Sequence, residues 1–165
     1  MRKLGIIAVL SLLVVALAAV PALAASPHFA GKTSSSVDSS GALVVNFKEA
    51  GLGNNQLVDY NLSIAKAEAT WACINKGGKH PQAANKETFS ESLNIPFSLS
   101  SDRNGNISGP VTVSPGTPLP PADFSCPSGQ RLVLAGVSYT GITLTDLTNN
   151  LSASIPNASR TFFAV

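Results

Sequence analysis

From Phe89 to Leu99 the odd positions read Phe, Glu, Leu, Ile, Phe, Leu, and the even positions are Ser90, Ser92, Asn94, Pro96 and Ser98. A repeat of two puts successive side chains on opposite faces of a strand, so this segment can bury one face and wet the other. A helix would scatter the same residues around its circumference. Glu91 is the one violation, and it reads as a gatekeeper on an edge strand or as a partner for a lysine. The run 87–100 is long for a single strand. Pro96 is therefore expected to mark a bend or an edge.

The same period recurs along the chain, and no window sustains a helical one. Residues 42–47 form a first strand, and GLGNN from Gly51 reads as a turn. Tyr60, Leu62 and Ile64 alternate with polar residues, after which the apolar phase moves to Ala67, Ala69, Trp71 and Cys73. A phase change of this kind predicts a bulge near Ile64–Lys66. DRNGN from Asp102 carries the Asn-Gly pair of a tight hairpin. Residues 131–147 form a long strand-like run whose phase changes at Gly141. Thr148-Asn149-Asn150 turns it into final strands over 151–155 and 159–165. Seven or eight strands with turns between them predict an all-β, immunoglobulin-like antiparallel sandwich.

The amino end predicts the compartment. Arg2 and Lys3 precede an apolar run from Leu4 to Val20, then Pro21 and an Ala22-Leu23-Ala24 cleavage pattern, the layout of a secretory signal. The expected organisation is a signal peptide at 1–25, a flexible Ser-rich lead-in at 26–41 and one sandwich domain at 42–165. The full chain has 11 basic and 9 acidic side chains. Losing Arg2 and Lys3 leaves the mature chain neutral, so charge gives no argument for nucleic acid. No later segment is apolar enough to span a bilayer, and no membrane insertion is expected after cleavage. Cys73 and Cys126 are the only cysteines. In an oxidising compartment they are expected to pair, closing a loop of about 53 residues worth roughly 4 kcal/mol.

Chemistry-bearing residues concentrate in WACINKGGKHPQAANKE, from Trp71 to Glu87. Gly77, Gly78, Pro81, Asn75 and Asn85 suit an ordered loop pinned at its base by Cys73. Lys76, Lys79, His80 and Lys86 make that loop locally positive and are the candidate binding residues. Catalysis lacks parts. Only His28 and His80 are available as bases, no G-x-S-x-G occurs, and no ligand set for a metal is evident. Glu87 and Glu91 would lie about 13 Å apart along a strand, too far for a glycosidase pair. GKTSSS from Gly31 resembles the end of a phosphate-binding loop, but the required earlier glycine falls at Ser26. Trp71, Tyr60 and Tyr139 sit on apolar phases and are expected in the core, leaving no aromatic platform for a sugar. N-x-S sequons occur at Asn61, Asn106, Asn150 and Asn157.

The segments ACINKGGKHPQAANKE, DRNGNISGPVTV and CPSGQRLVLAGVSYTGITLTD together resemble a group of small secreted proteins of actinobacteria, other soil bacteria and some fungi. The similarity runs over roughly residues 42–146 and implies secretion and a shared fold. The expected function is a secreted, non-enzymatic β-sandwich with a binding or structural role at the cell surface or in the medium. Its partner would be an extracellular protein or a cell-wall component, and no cofactor or metal is expected. The alternatives are an inhibitor or effector presenting the Lys76–Lys86 loop to a partner protein, and a hydrolase with an unrecognised site. Intact mass of the secreted protein after alkylation, with and without reductant, checks the cysteine pairing. No alkylation is expected before reduction and two adducts after it.

Overall fold

The computed structural model describes residues 26–75, 85–113 and 124–164. The expected signal peptide and most of the Gly-Lys-His loop lie outside them. Among the described residues there are strands and turns only, and no helix long and apolar enough to cross a membrane.

Three long strands dominate: β5 (Leu57–Asn75), β6 (Lys86–Ser100) and β9 (Gln130–Asp146). With β10 (Leu151–Ile155) they form an antiparallel sheet in the order β10-β9-β5-β6, and β11 (Ala158–Thr161) continues the β10 edge along β9. Six short strands build the facing layer. These are β1 (His28–Phe29), β2 (Ser34–Val37), β3 (Leu43–Asn46), β4 (Lys48–Ala50), β7 (Ile107–Ser108) and β8 (Val111–Val113). They pair as β1-β4-β7 and β2-β3-β8. Leu43 opposite Val113 and Lys48 opposite Ser108 share one register, and Gly109 N donates to Phe47 O (2.9 Å) across the break. The layer is thus three interrupted ribbons facing four.

The two layers close on a shared core. Leu43, Val45 and Phe47 from one side meet Tyr60, Leu62, Ile64, Tyr139, Ile142 and Leu144 from the other. All-β structure in packed antiparallel sheets is what the alternation predicted.

Residues 26–41 depart from the expected flexible lead-in, because they carry β1 and β2. Their hydroxyls stitch one side of the sandwich shut. Thr33 Oγ1 donates to Ser154 O (3.0 Å) and Ser35 Oγ to Pro156 O, while Arg160 Nη1 donates to Val37 O (3.2 Å). A Ser-rich strand with few inward apolar residues carries almost no periodic signal, so its pairing depends on neighbours far along the chain. GKTSSS runs into β2, a strand, where a phosphate-binding loop would open a helix.

Two other expectations change and a third is met in part. DRNGN does form a tight turn, with Asp102 Oδ1 accepting from Asn104 N (2.8 Å) and Asn106 N (2.9 Å). It joins no hairpin, however, because it carries the chain from β6 in one layer to β7 in the other. Of the two readings for Pro96, the edge is met and the bend is not: β6 ends the sheet, and it pairs with β5 continuously from Ser100 through Leu93. As an edge strand, β6 has alternate N–H groups that face no neighbour, so a proline fits. Glu91 is exposed on the same edge, as a gatekeeper would be. Trp71 is only half-buried, whereas Ala69, Ala72 and Cys73 are buried. The core cluster on β5 ends at Ala67.

A line of irregularity crosses the long sheet. On β5 the inward residues are Tyr60, Leu62 and Ile64, then Ala67 and Ala69. On β9 they are Leu144 and Ile142, then Tyr139 and Val137. Ile64 pairs with Ile142, and Ala67 with Tyr139, so two residues intervene on each strand: Ala65-Lys66 and Thr140-Gly141. Pro156-Asn157 occupies the same line between β10 and β11. On β6 only Ser92 intervenes, which makes the bulge between β5 and β6. Gly141 sits at φ 63°, and a Cβ there would lie 2.7 Å from the Ala65 Cβ. Asn157 Oδ1 accepts from Gly141 N (3.0 Å). Gly141→Ala is expected to destabilise by about 1–3 kcal/mol in urea unfolding. Gly136→Ala, on the same strand with an ordinary φ, should stay within about 1 kcal/mol of wild type.

Candidate functional site

Of the four predicted loop residues, Lys76, Lys79 and His80 lie outside the described residues. Lys86 begins β6 opposite Ala72. It lines a groove of about 530 Å³ with Glu87, Thr70, Thr88, Gly136, Thr161 and Phe163. A second hollow of about 260 Å³ shares Thr70, Thr88, Gly136 and Thr161 with the first, and adds Glu68, Ser138 and Ser159.

Register builds this groove. Thr70 pairs with Thr88 on one side and Gly136 on the other, and Gly136 pairs with Thr161. One row across four strands therefore reads Thr88, Thr70, Gly136, Thr161. The next row reads Ser90, Glu68, Ser138, Ser159. Because Ala67, Ala69 and Val137 face the core, both rows lie on the outer face. The rows are locally tied: the Thr70 and Thr88 hydroxyls share a hydrogen bond (2.8 Å), and Ser138 Oγ donates to Glu68 Oε2 (3.4 Å). Lys66 Nζ lies 2.7 Å from Glu68 Oε1, so the Glu68 charge is balanced.

None of these threonines and serines stood out in the sequence. Each is an ordinary polar position of a period-two strand, and their convergence depends on cross-strand register. The one signal was Gly136 inside an otherwise strand-like run, since glycine in a strand interior often marks close approach by a ligand or another backbone.

The predicted pairing of Cys73 with Cys126 is present, with Cα atoms 5.4 Å apart. It ties the upper end of β5 to the segment that leads into β9. Among the described residues there is no cluster of His, Cys, Asp and Glu suited to a metal ion. Comparison with protein-family models, curated proteins and solved structures gives no match.

A second polar cluster, missed in the sequence, is buried between the layers. Tyr60 Oη donates to Glu49 Oε2 (2.7 Å), and both residues are fully buried. Asp146, also fully buried, acts on the Glu49 carboxyl from the same site. Burial pushes the Glu49 carboxyl up to about 7. Asp146 adds to the rise, while the Tyr60 hydroxyl and the more distant His28 oppose it. Glu49 Oε1 has no acceptor role among the described residues. Protonated, it becomes a donor beside Asp146; ionised, it is a second negative charge in one dry site.

The native state therefore binds a proton that the unfolded chain releases from the ordinary carboxylic range upward. The stabilisation is complete in acid and is lost as pH rises through about 7. Asp38 and Asp102 act at lower pH. Hydrogen bonds from Ser40 and Asn106 hold them below the usual range. Stability is expected to fall by on the order of 1–3 kcal/mol between about pH 5 and about pH 8. Glu49→Gln keeps an acceptor for Tyr60, and should flatten that slope in denaturant titrations at the two pH values.

Proposed function

We propose that this chain is an exported, non-enzymatic, immunoglobulin-like module that binds an extracellular or cell-wall partner through the outer face of its four-stranded sheet. Support for the immunoglobulin-like reading comes from strand order: three antiparallel ribbons face four, with the chain crossing between layers after β4, β6 and β8. Support for export comes from Arg2-Lys3, the apolar run to Val20, the Ala-Leu-Ala pattern and the disulfide, together with the resemblance to small secreted proteins.

The observation that carries the binding role is the groove. Its volume falls in the range of ligand sites, and it sits on regular strands, which hold side chains more firmly than loops do. Binding is favoured over hydrolysis because no lining residue among the described ones is His or Cys, and the Glu68 carboxylate is already engaged by Lys66 and Ser138. Lys86 gives the loop reading its support, since it places the end of the Lys76–Lys86 loop on the groove wall.

Two variants separate the readings. Thr161→Arg fills the groove from an exposed edge position and should keep the melting temperature within about 2 °C, since surface changes usually stay within about 0.5 kcal/mol. Retention on host cell-wall and culture-supernatant fractions should be lost in Thr161→Arg. It should persist when Lys76, Lys79 and His80 are all replaced by alanine. The reverse pattern would move the site to the loop, and retention of both variants would remove the groove from binding.

A further inference from the structure

Gly136 lies in the interior of β9, where its backbone does not require glycine. Its φ is outside the left-handed region, and a Cβ would meet only Arg160 O at 3.4 Å and Thr161 Cα at 3.9 Å, ordinary contacts. Glycine within a strand is less stable than alanine by about 0.5–1 kcal/mol. Gly136 also adjoins a register shift, since Thr70 pairs with Gly136 and Trp71 with Leu134, leaving Ala135 as the extra residue, so this bulge is one reason for a glycine here and the open row is a second. What the missing side chain does is interrupt the row Thr88, Thr70, Gly136, Thr161. That gap is the floor of the groove, with hydroxyls on both sides.

The surroundings of the gap define what would fill it. Glu68 is paired with Lys66, and Arg160 is turned away, its guanidinium reaching Val37 O and stacking over Phe162 at 5.3 Å. Lys86 and Glu87, of opposite sign, both line the groove. The groove therefore presents no surplus charge, which disfavours an anionic polymer. An extended peptide would be taken up at an open strand edge through backbone bonds, not on the face of a sheet. The face offers rows of hydroxyls able to donate and accept, carboxylates that accept, and Phe163 as an apolar wall.

We propose that this groove binds a neutral oligosaccharide, seated with a sugar ring over Gly136 and its hydroxyls between the Thr70–Thr88 pair and Thr161. The proposal rests on reading the outer face as the binding surface and names the ligand class for it.

Affinity electrophoresis tests it, with wild type, Gly136→Ala and Gly136→Val run through gels containing β-glucan, mannan, xylan or starch, and polygalacturonate as the anionic control. Valine suits a strand, and its Cβ is tolerated at this position, so the variant should melt at or above the wild-type temperature. At least one neutral polysaccharide is expected to retard the wild type, with competition by its free oligosaccharide. Gly136→Val should weaken that binding about tenfold or more, and Gly136→Ala by less. Undiminished binding by Gly136→Val would overturn the proposal, as would retardation by polygalacturonate alone. Failure of every neutral polysaccharide, with Thr161→Arg still losing its cell-wall or supernatant partner, would overturn the ligand class and leave the binding face standing.

Discussion

A tyrosine hydroxyl buried where the two layers meet dictates much of what surrounds it. The Tyr60 ring stacks on Phe97 at 5.2 Å and meets Phe47 edge-on at 5.6 Å, so its position is fixed by aromatic packing from both layers. Its hydroxyl, shut away from water, would cost about 1–3 kcal/mol if left unbonded. The acceptor comes from across the core, and it is a carboxyl, Glu49 on β4. That carboxyl in turn lies beside Asp146. Asp146 Oδ1 accepts from Thr148 N (2.8 Å) and Asn149 N (2.9 Å), which shapes the turn into β10. One buried hydroxyl is thereby linked to the register of β4 and to the β9–β10 turn. A one-residue slip of β4 would carry Glu49 to the opposite face and leave Tyr60 without a partner.

How much of this was legible depends on distance along the chain. The bulge near Ile64–Lys66 and the irregularity at Gly141 could be read because a change of phase is a local signal. The cysteine pair could be read because there was no third cysteine to confuse it. Glu49 was not legible: KEA is an unremarkable charged triplet until Tyr60 is placed opposite it. Nor was the role of the Ser34–Ser36 run, whose meaning lies in carbonyls more than a hundred residues away. The Asn-Gly turn was recognised, but a turn does not say whether its flanking strands will pair. The groove failed for the same reason, since Thr70, Thr88, Gly136 and Thr161 become neighbours only through register.

The line of irregularity also accounts for the character of the outer face. Below it, odd positions of β5 point outward, namely Asp59, Asn61 and Ser63. Above it the even positions do, Glu68 and Thr70. On β9 the same exchange runs from Thr145 and Thr143 to Ser138. Had the phase continued unbroken, Ala67, Ala69, Val137 and Tyr139 would have turned to solvent. The exchange keeps one polar surface continuous across the long sheet. It also keeps Ala67 and Ala69 inward.

The bridge from Cys73 to Cys126 has a mechanical consequence. Tension arriving through β5 on one side and β9 on the other passes directly across the sulfur–sulfur bond. The segment between the two cysteines, 53 positions apart and including β6 to β8, is bypassed. A stretch that would otherwise pay out about 180 Å of extended chain is withheld. The groove wall formed by Lys86, Glu87 and Thr88 belongs to that sheltered segment. Under load, that wall would stay attached to its disulfide anchor while the force ran through the central strands.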